Sequence, residues 1–217
     1  FDGDLVDVTS SPTVSVWDPS LAYNAHGDGI VMWRVDLGGS DRGLRTARYD
    51  HATKNRWSDS APVGHSANGI SSASVAIDDA GNAAAFWGTN DHKSAGYGAA
   101  MNPATGEWGP STKLSTGANG SQATDPDAVA ADNHGNFVAV WTETNTDGSG
   151  MGVYGRTFDA SGAATSAQFL VNQVTAGDQS LAAVAINPLA ATSTIDFTVT
   201  WTRHFTSNGS NGVQARA

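Results

Sequence analysis

Thirteen polar side chains in this 217-residue sequence have types that could do chemistry. Ten of them, Asp36, Asp41, Asn90, Asp91, His92, Glu143, Asn145, Asp147, Arg203 and His204, fall in its longest and most varied polar segments. Amide, carboxylate and imidazole groups on loops suit recognition of sugar hydroxyls. Two carboxylates from different loops would also suit acid–base cleavage of a glycosidic bond, which needs carboxyl groups roughly 5 to 9.5 Å apart. The pairs to consider are Asp36 or Asp41 with Glu143 or Asp147. The remaining three, Asp18, Asp125 and Asp127, stand where strands begin. With carbonyl oxygens at the mouth of a channel they would hold Ca²⁺, a hard cation taking six to eight oxygen ligands. Asp18-Pro19 and Asp125-Pro126 read equally as strand-initiating turns. No Asp-x-Asp-x-Asp-Gly loop is present, and the six histidines show no His-x-His or His-x-x-x-His spacing, so a transition-metal site would need ligands gathered from separate segments. Nucleophile, base and orienting group do not occur together at a recognisable spacing.

Composition narrows the partners. The chain carries 21 acidic and 11 basic residues for a net charge of −10, the wrong sign for a phosphate backbone. Nucleic acid is therefore not expected, and no apolar run reaches the roughly 18 residues of a membrane-spanning helix. Cysteine is absent, which removes disulfides, thiol catalysis and thiolate metal sites. Twenty-five glycines, abundant Ser, Thr, Asn and Ala, and few Lys and Glu read as a secreted or cell-surface β-protein. Phe1 follows no leader sequence and reads as the start of a processed or excised chain.

A repeat supplies the elements that must position these residues. Asn24-Ala-His-Gly-Asp-Gly-Ile-Val-Met-Trp33, Asp78-Asp-Ala-Gly-Asn-Ala-Ala-Ala-Phe-Trp87 and Asp132-Asn-His-Gly-Asn-Phe-Val-Ala-Val-Trp141 share one frame, with their tryptophans 54 residues apart. A fourth copy runs from Val184-Ala-Ile-Asn187 through a longer loop to Asp196-Phe-Thr-Val-Thr-Trp201. Each reads as a small apolar strand, an Asx-x-x-Gly hairpin turn and a second strand ending in Trp. A third strand follows (44–49, 96–101, 153–158, 213–217), and a fourth begins near Trp57, Trp108 and Phe169. Four short strands per period of about 50 residues is a propeller blade. The expected fold is all-β, a single four-bladed propeller. Its blades fall at about 11–65, 66–120, 121–175, and 176–217 plus 1–10, the ring being closed by Leu5-Val-Asp-Val8 as the outer strand of the last blade.

The Asp-x-x-Gly-Asn…Trp hairpins resemble the propeller-type repeats of bacterial secreted and surface proteins. At the turn they look similar to sialidase-like Asp-boxes, although the Ser/Thr-x-Asp-x-Gly-x-Thr-Trp spacing is not met. Asp127-Ala-Val-Ala130 is similar to the first-strand pattern of four-bladed hemopexin-like domains, whose closing disulfide cannot form here. These resemblances imply architecture only.

Other recurring residues read as structural. Trp33, Trp87, Trp141 and Trp201 occupy one position in every copy and are expected between blades. Trp17, Trp57 and Trp108 do not recur and are expected in core or rim packing. His26 and His134 share a turn position by repetition. Arg48, Arg156 and Arg216 each stand beside an aromatic residue in a third strand, where a contact within the blade is expected.

The function expected first is a secreted, non-catalytic binding module, lectin-like or adhesive, that takes a polysaccharide, another glycan or a surface protein through the loops of one face. The alternative is a carbohydrate-active enzyme, a glycoside hydrolase or lyase using loop carboxylates; a third is a protein-interaction module of a larger surface protein. Ca²⁺ in the central channel is the one cofactor expected, held by Asp18, Asp125 and Asp127.

Overall fold

The structure, a computed structural model, describes residues 14–52, 57, 61–89, 96–115, 122–123, 128–144, 147–190, 194–205 and 209–217. All regular structure among them is strand, and none of it is a helix long and apolar enough to cross a membrane. The first sheet runs β1 (Val16–Tyr23), β2 (Gly29–Gly38), β3 (Asp41–Tyr49), β4 (Ala61–Ser66). The second runs β5 (Ile70–Ile77), β6 (Ala83–Thr89), β7 (Gly96–Met101), β8 (Thr112–Lys113). In the third, β9 (Gln122–Ala123) and β10 (Val129–Ala131) both pair with β11 (Phe137–Thr144), followed by β12 (Met151–Phe158) and β13 (Phe169–Leu170). The fourth has β14 (Gln179–Ile186), β15 (Phe197–His204) and β16 (Asn211–Arg216).

The Asx turns make these meanders. Asn24 Oδ1 accepts from the backbone N–H groups of His26 and Asp28, and Asp132 Oδ1 from those of His134 and Asn136. Gly27, Gly81 and Gly135 take φ values of 86°, 82° and 80°, which side-chain-bearing residues rarely adopt. Successive turns also touch: Asn24 Nδ2 donates to the Asp78 carbonyl (3.0 Å), and Asp79 Oδ1 accepts from the Ala25 N–H (2.7 Å).

First strands gather at the centre. β1 lies beside β5, β5 beside β10, and β10 beside β14. Together they line a 450 Å³ cavity with Tyr23, Ile77, Ala131 and Ala185. This is the four-sheet arrangement expected of a four-bladed propeller. The closing strand, residues 5–8, lies outside the described residues.

Each second-strand tryptophan is buried, and three of them lie in seams. Trp87 lies among Ile30, Met32, Leu44 and Val63 of the first sheet. Trp141 meets Phe86 of the second, ring centres 5.6 Å apart, and Trp201 packs with Val138, Val140 and Val171 of the third. The non-recurring tryptophans also pack: Trp17 lies under the guanidinium groups of Arg34 and Arg42, Trp57 against Tyr49, and Trp108 against the first core. Trp108 forms only an isolated bridge to Met101, so the second sheet's outer strand begins at Thr112 rather than near Trp108. The first sheet's outer strand is described over Ala61–Ser66, with Trp57 outside that span.

The three arginines are not equivalent, which corrects their reading as a repeat. Each lies 15 residues after its tryptophan, but Trp33 pairs with Arg45, Trp141 with Tyr154 and Trp201 with Gln214. The hairpin of the first sheet is one residue shorter, and a one-residue slip moves a side chain to the opposite face. Arg48 therefore reaches forward to the Pro103 carbonyl of the second sheet, while Arg216 reaches back to the Leu170 and Val171 carbonyls of the third. Arg156 also turns back, towards the Leu114 carbonyl, besides bonding Ser166 in its own sheet.

Glu143 is part of this core. It is fully buried, and its Oε1 accepts from Trp141 Nε1 (2.8 Å) and Gln168 Nε2 (3.0 Å). Trp141→Ala is expected to cost about 3–5 kcal/mol in urea denaturation. Glu143→Ala should cost about 1–3 kcal/mol because it strands a buried indole N–H, whereas Glu143→Gln, whose amide oxygen can accept both bonds, should unfold near the wild-type midpoint. Equal loss from both Glu143 variants would show that the charge, not the acceptor, is what the core needs.

Candidate functional site

The ends of the second strands and the starts of the first strands form one face, and its corners differ in how they hold their carboxylates. At the first sheet's corner, Asp18, Asp36 and Asp41 each have a cationic or imidazole partner. Arg34 pairs with Asp18 and donates to the carbonyls of Ile70 and Ser71. Burial, then the neighbouring Arg42 charge, pushes the Arg34 guanidinium below its ordinary range. Arg42 binds Asp36 (2.9 Å) and His65 lies 3.3 Å from Asp41. Asp18 has a φ of 53° at a bulge in β1. This corner is a closed ionic network that ties the first sheet to the second.

The corner between the third and fourth sheets uses neutral donors instead. Asp147 Oδ1 accepts from the Ser149 N–H (3.1 Å), and its Oδ2 accepts from Asn172 Nδ2 (3.2 Å). Asp178 Oδ1 accepts from the Met151 N–H (3.0 Å). Both carboxylates are half-buried, and neither is ion-paired among the described residues. They hold the same turn, since Gly177 N–H also donates to Ser149 Oγ (3.3 Å). A side chain at Gly152 would run into Asp147 Oδ2, so the turn needs glycine there.

Behind them lie two buried amides. Asn172 Oδ1 accepts from the Val153 N–H, and Asn172 Nδ2 donates to Gln179 Oε1 (3.0 Å) and to the Val174 carbonyl. Gln179 Nε2 donates to the carbonyls of Ala176 and Gly177. Arg203 pairs in register with Gln179, its guanidinium 4.9 Å over the Phe205 ring. The His204 N–H donates to the Asp178 carbonyl, and its Nδ1 lies 2.8 Å from Asn211 Oδ1.

Of the ten expected loop residues, Asp147, Arg203 and His204 thus come together, joined by Asp178, Asn172 and Gln179, which sequence reading missed. Asp178 directly precedes a first strand, and that was the available signal. Asp36 and Asp41 lie at the first sheet. Glu143 lies in the core, which removes it from the expected acid–base pairs. Asn90, Asp91, His92, Asn145, Asp125 and Asp127 lie outside the described residues, so of the expected calcium ligands only Asp18 is placed, against Arg34.

No protein-family model and no curated protein sequence matches the chain. Solved structures do. A Hadza microbial sialidase superposes with a TM-score of 0.58 over 93% of this chain at 13% identity, and this chain spans 44% of its length. An α-L-arabinanase of Penicillium chrysogenum, complexed with arabinobiose, gives 0.57 over 91% at 11% identity, with 61% of its chain covered. An α-L-arabinofuranosidase of Fusarium graminearum gives 0.50 over 87% at 14% identity, with 58% covered. At these identities the likeness establishes the propeller fold. The expectation of a non-catalytic, lectin-like module is overturned by this comparison: the sialidase, the arabinanase and the arabinofuranosidase are carbohydrate-active enzymes, which backs the alternative reading.

Proposed function

We propose that the chain is a carbohydrate-active enzyme that cleaves glycosidic bonds at the face carrying Asp147 and Asp178. The observation that supports this most is the pair itself: two half-buried carboxylates from adjacent sheets, each oriented by N–H donors and neither ion-paired among the described residues. In such cleavage one carboxylic acid protonates the leaving glycosidic oxygen. The other carboxylate either takes a proton from an attacking water or adds to the anomeric carbon. Asn172 holds Asp147 in place from behind, and Gln179 fixes Asn172. Arg203 and His204 border the same corner and offer donors to sugar hydroxyls. The solved relatives act on glycosides, which agrees with this reading.

The test is reducing-sugar release from a polysaccharide panel that includes arabinan and sialylated glycans. Activity is expected on one class, with Asp147→Ala and Asp178→Ala each lowering kcat by more than about a hundredfold while Asp36→Ala changes it little. Full activity in both variants would place the chemistry elsewhere.

A closed ring belongs to the same reading, because it would fix the two sheets that bear the pair. Val63, Leu114 and Val171, in or just beyond the fourth strands, share core clusters with Trp87, Trp141 and Trp201 of the following sheet. The fourth sheet has three strands among the described residues, and Leu5-Val-Asp-Val8 fits as its fourth, with Val6 in the corresponding place against Trp33. Val6→Asp should then lower the melting temperature by several degrees and promote association through the edge of β16. Unchanged melting of Val6→Asp would remove the N-terminal segment from the ring.

A further inference from the structure

The seam between the second and third sheets keeps one arginine tie, from Arg156 to the Leu114 carbonyl, but lacks the indole that fills the seam before it. Between the first and second sheets, Trp108 donates its indole N–H to Thr46 Oγ1 (2.8 Å), and Arg48 extends to the Pro103 carbonyl (3.0 Å) beside Gly81 and Gly106. The registers give the matching positions one sheet on. Thr46 and Arg48 stand one and three residues beyond Arg45, the partner of Trp33; Gly98 and Ala100 stand one and three beyond Tyr97, the partner of Trp87. Trp108 bridges Met101 at the end of β7, and Ala164 bridges Phe158 at the end of β12. Hydroxyl, guanidinium and indole are thus replaced by Gly98, Ala100 and Ala164.

What remains is a pocket of about 140 Å³, walled by Phe86, Phe137, Phe158 and Val129, with Asp159 and Ser161 on its polar side. That volume suits one six-membered ring, for an engineered apolar cavity of about 150 Å³ takes benzene. Charge is added at the same place. Asn102 and Asp159 begin equivalent turns, each accepting at 2.9 Å from the N–H two residues on, so the third sheet keeps the turn and gains a carboxylate. Asp159 Oδ1 takes further bonds from the Ser161 hydroxyl (2.6 Å) and the Ala163 N–H (3.0 Å), and it has no ion pair among the described residues. The Ser161 hydroxyl, aided by the Ala163 and Ser161 N–H groups, holds the Asp159 carboxyl below the usual range despite some burial, so it is ionised at neutral pH.

We propose that this pocket between the second and third sheets binds a small planar aromatic cation. Its ring takes the place that Trp108 fills one seam earlier, and its positive group the place of the Arg48 guanidinium, beside Asp159. Aromatic walls favour the ring; Phe158 already carries the Arg156 guanidinium 5.9 Å over its face, so the ligand's charge is met by Asp159. The site is separate from the carboxylate pair, and its test reads binding, not hydrolysis.

The probe is benzamidinium, with neutral benzamide as its near-isostere, measured by calorimetric titration and by the rise in melting temperature that a native-state ligand produces. Benzamidinium should bind the full chain about fivefold more tightly than benzamide, as an accessible charge pair allows. Asp159→Asn, which preserves the turn as Asn102 does, should erase that difference. Ala100→Arg, at a lining residue, should abolish binding by filling the pocket from within, and Ala164→Trp, placed at the exposed bridge to Phe158 as Trp108 is at Met101, should weaken it. If one of these variants does not fold, the other carries the measurement. Asp147→Ala should bind benzamidinium as the wild type does. No binding of benzamidinium, equal affinity for both probes, or undiminished binding to Ala100→Arg would overturn the proposal.

Discussion

A large indole set midway along a second strand, facing the sheet before it, is the contact on which the rest of this molecule depends. Trp87, Trp141 and Trp201 each carry more apolar surface than their own small sheet can cover. Each takes cover from the preceding sheet, from Ile30, Met32 and Leu44, from Phe86, or from Val138 and Val140, besides contacts in its own sheet such as Trp87 on Tyr97. These sheets of three to five short strands bury their apolar faces by sharing them with a neighbour. The order of sheets round the central cavity, and with it the face bearing Asp147 and Asp178, follows from this one-directional packing.

The parts of this design that were legible in the sequence are those that repeat. Trp33, Trp87 and Trp141 at constant spacing, each preceded by an Asx-x-x-Gly turn, define the hairpins because only a few residue types satisfy such a turn. Hairpin length was not legible in the same way. Arg48 and Arg156 have identical offsets from their tryptophans yet face opposite seams, since the first hairpin turns tightly between Gly38 and Asp41 and is one residue shorter from tryptophan to partner than the third. No residue type announces that difference. Glu143 reads as a loop carboxylate, but its bond to Trp141 draws it into the core. Asn172 and Asp178 escaped notice because they do not recur, and a site built where two copies differ leaves no periodic trace; Gln179 recurs only once, as Gln122.

The same contrast explains why the two corners of the candidate face behave differently. Arg34 and Arg42 bring fixed positive charge to the first sheet, and Asp18 and Asp36 are neutralised there as structural ties. At the junction of the third and fourth sheets, backbone N–H groups and the Asn172 amide orient Asp147 and Asp178 without cancelling their charge. Orientation without neutralisation leaves a carboxylate able to exchange a proton with something else.

The seams also differ in what holds them, and that has a thermal consequence. The first joins through Arg34, Arg48, Trp108 and the turn-to-turn bonds of Asn24 and Asp79. The second, between Phe86 and Trp141, rests mainly on apolar contact. Apolar association weakens on cooling, while hydrogen bonds and ion pairs do not follow that trend. Chilling should therefore loosen the molecule along one line, with amide exchange rising first in β7 and β10 while β2 and β5 stay protected. Its cold limit of stability is set by a single interface, not by the average of the whole.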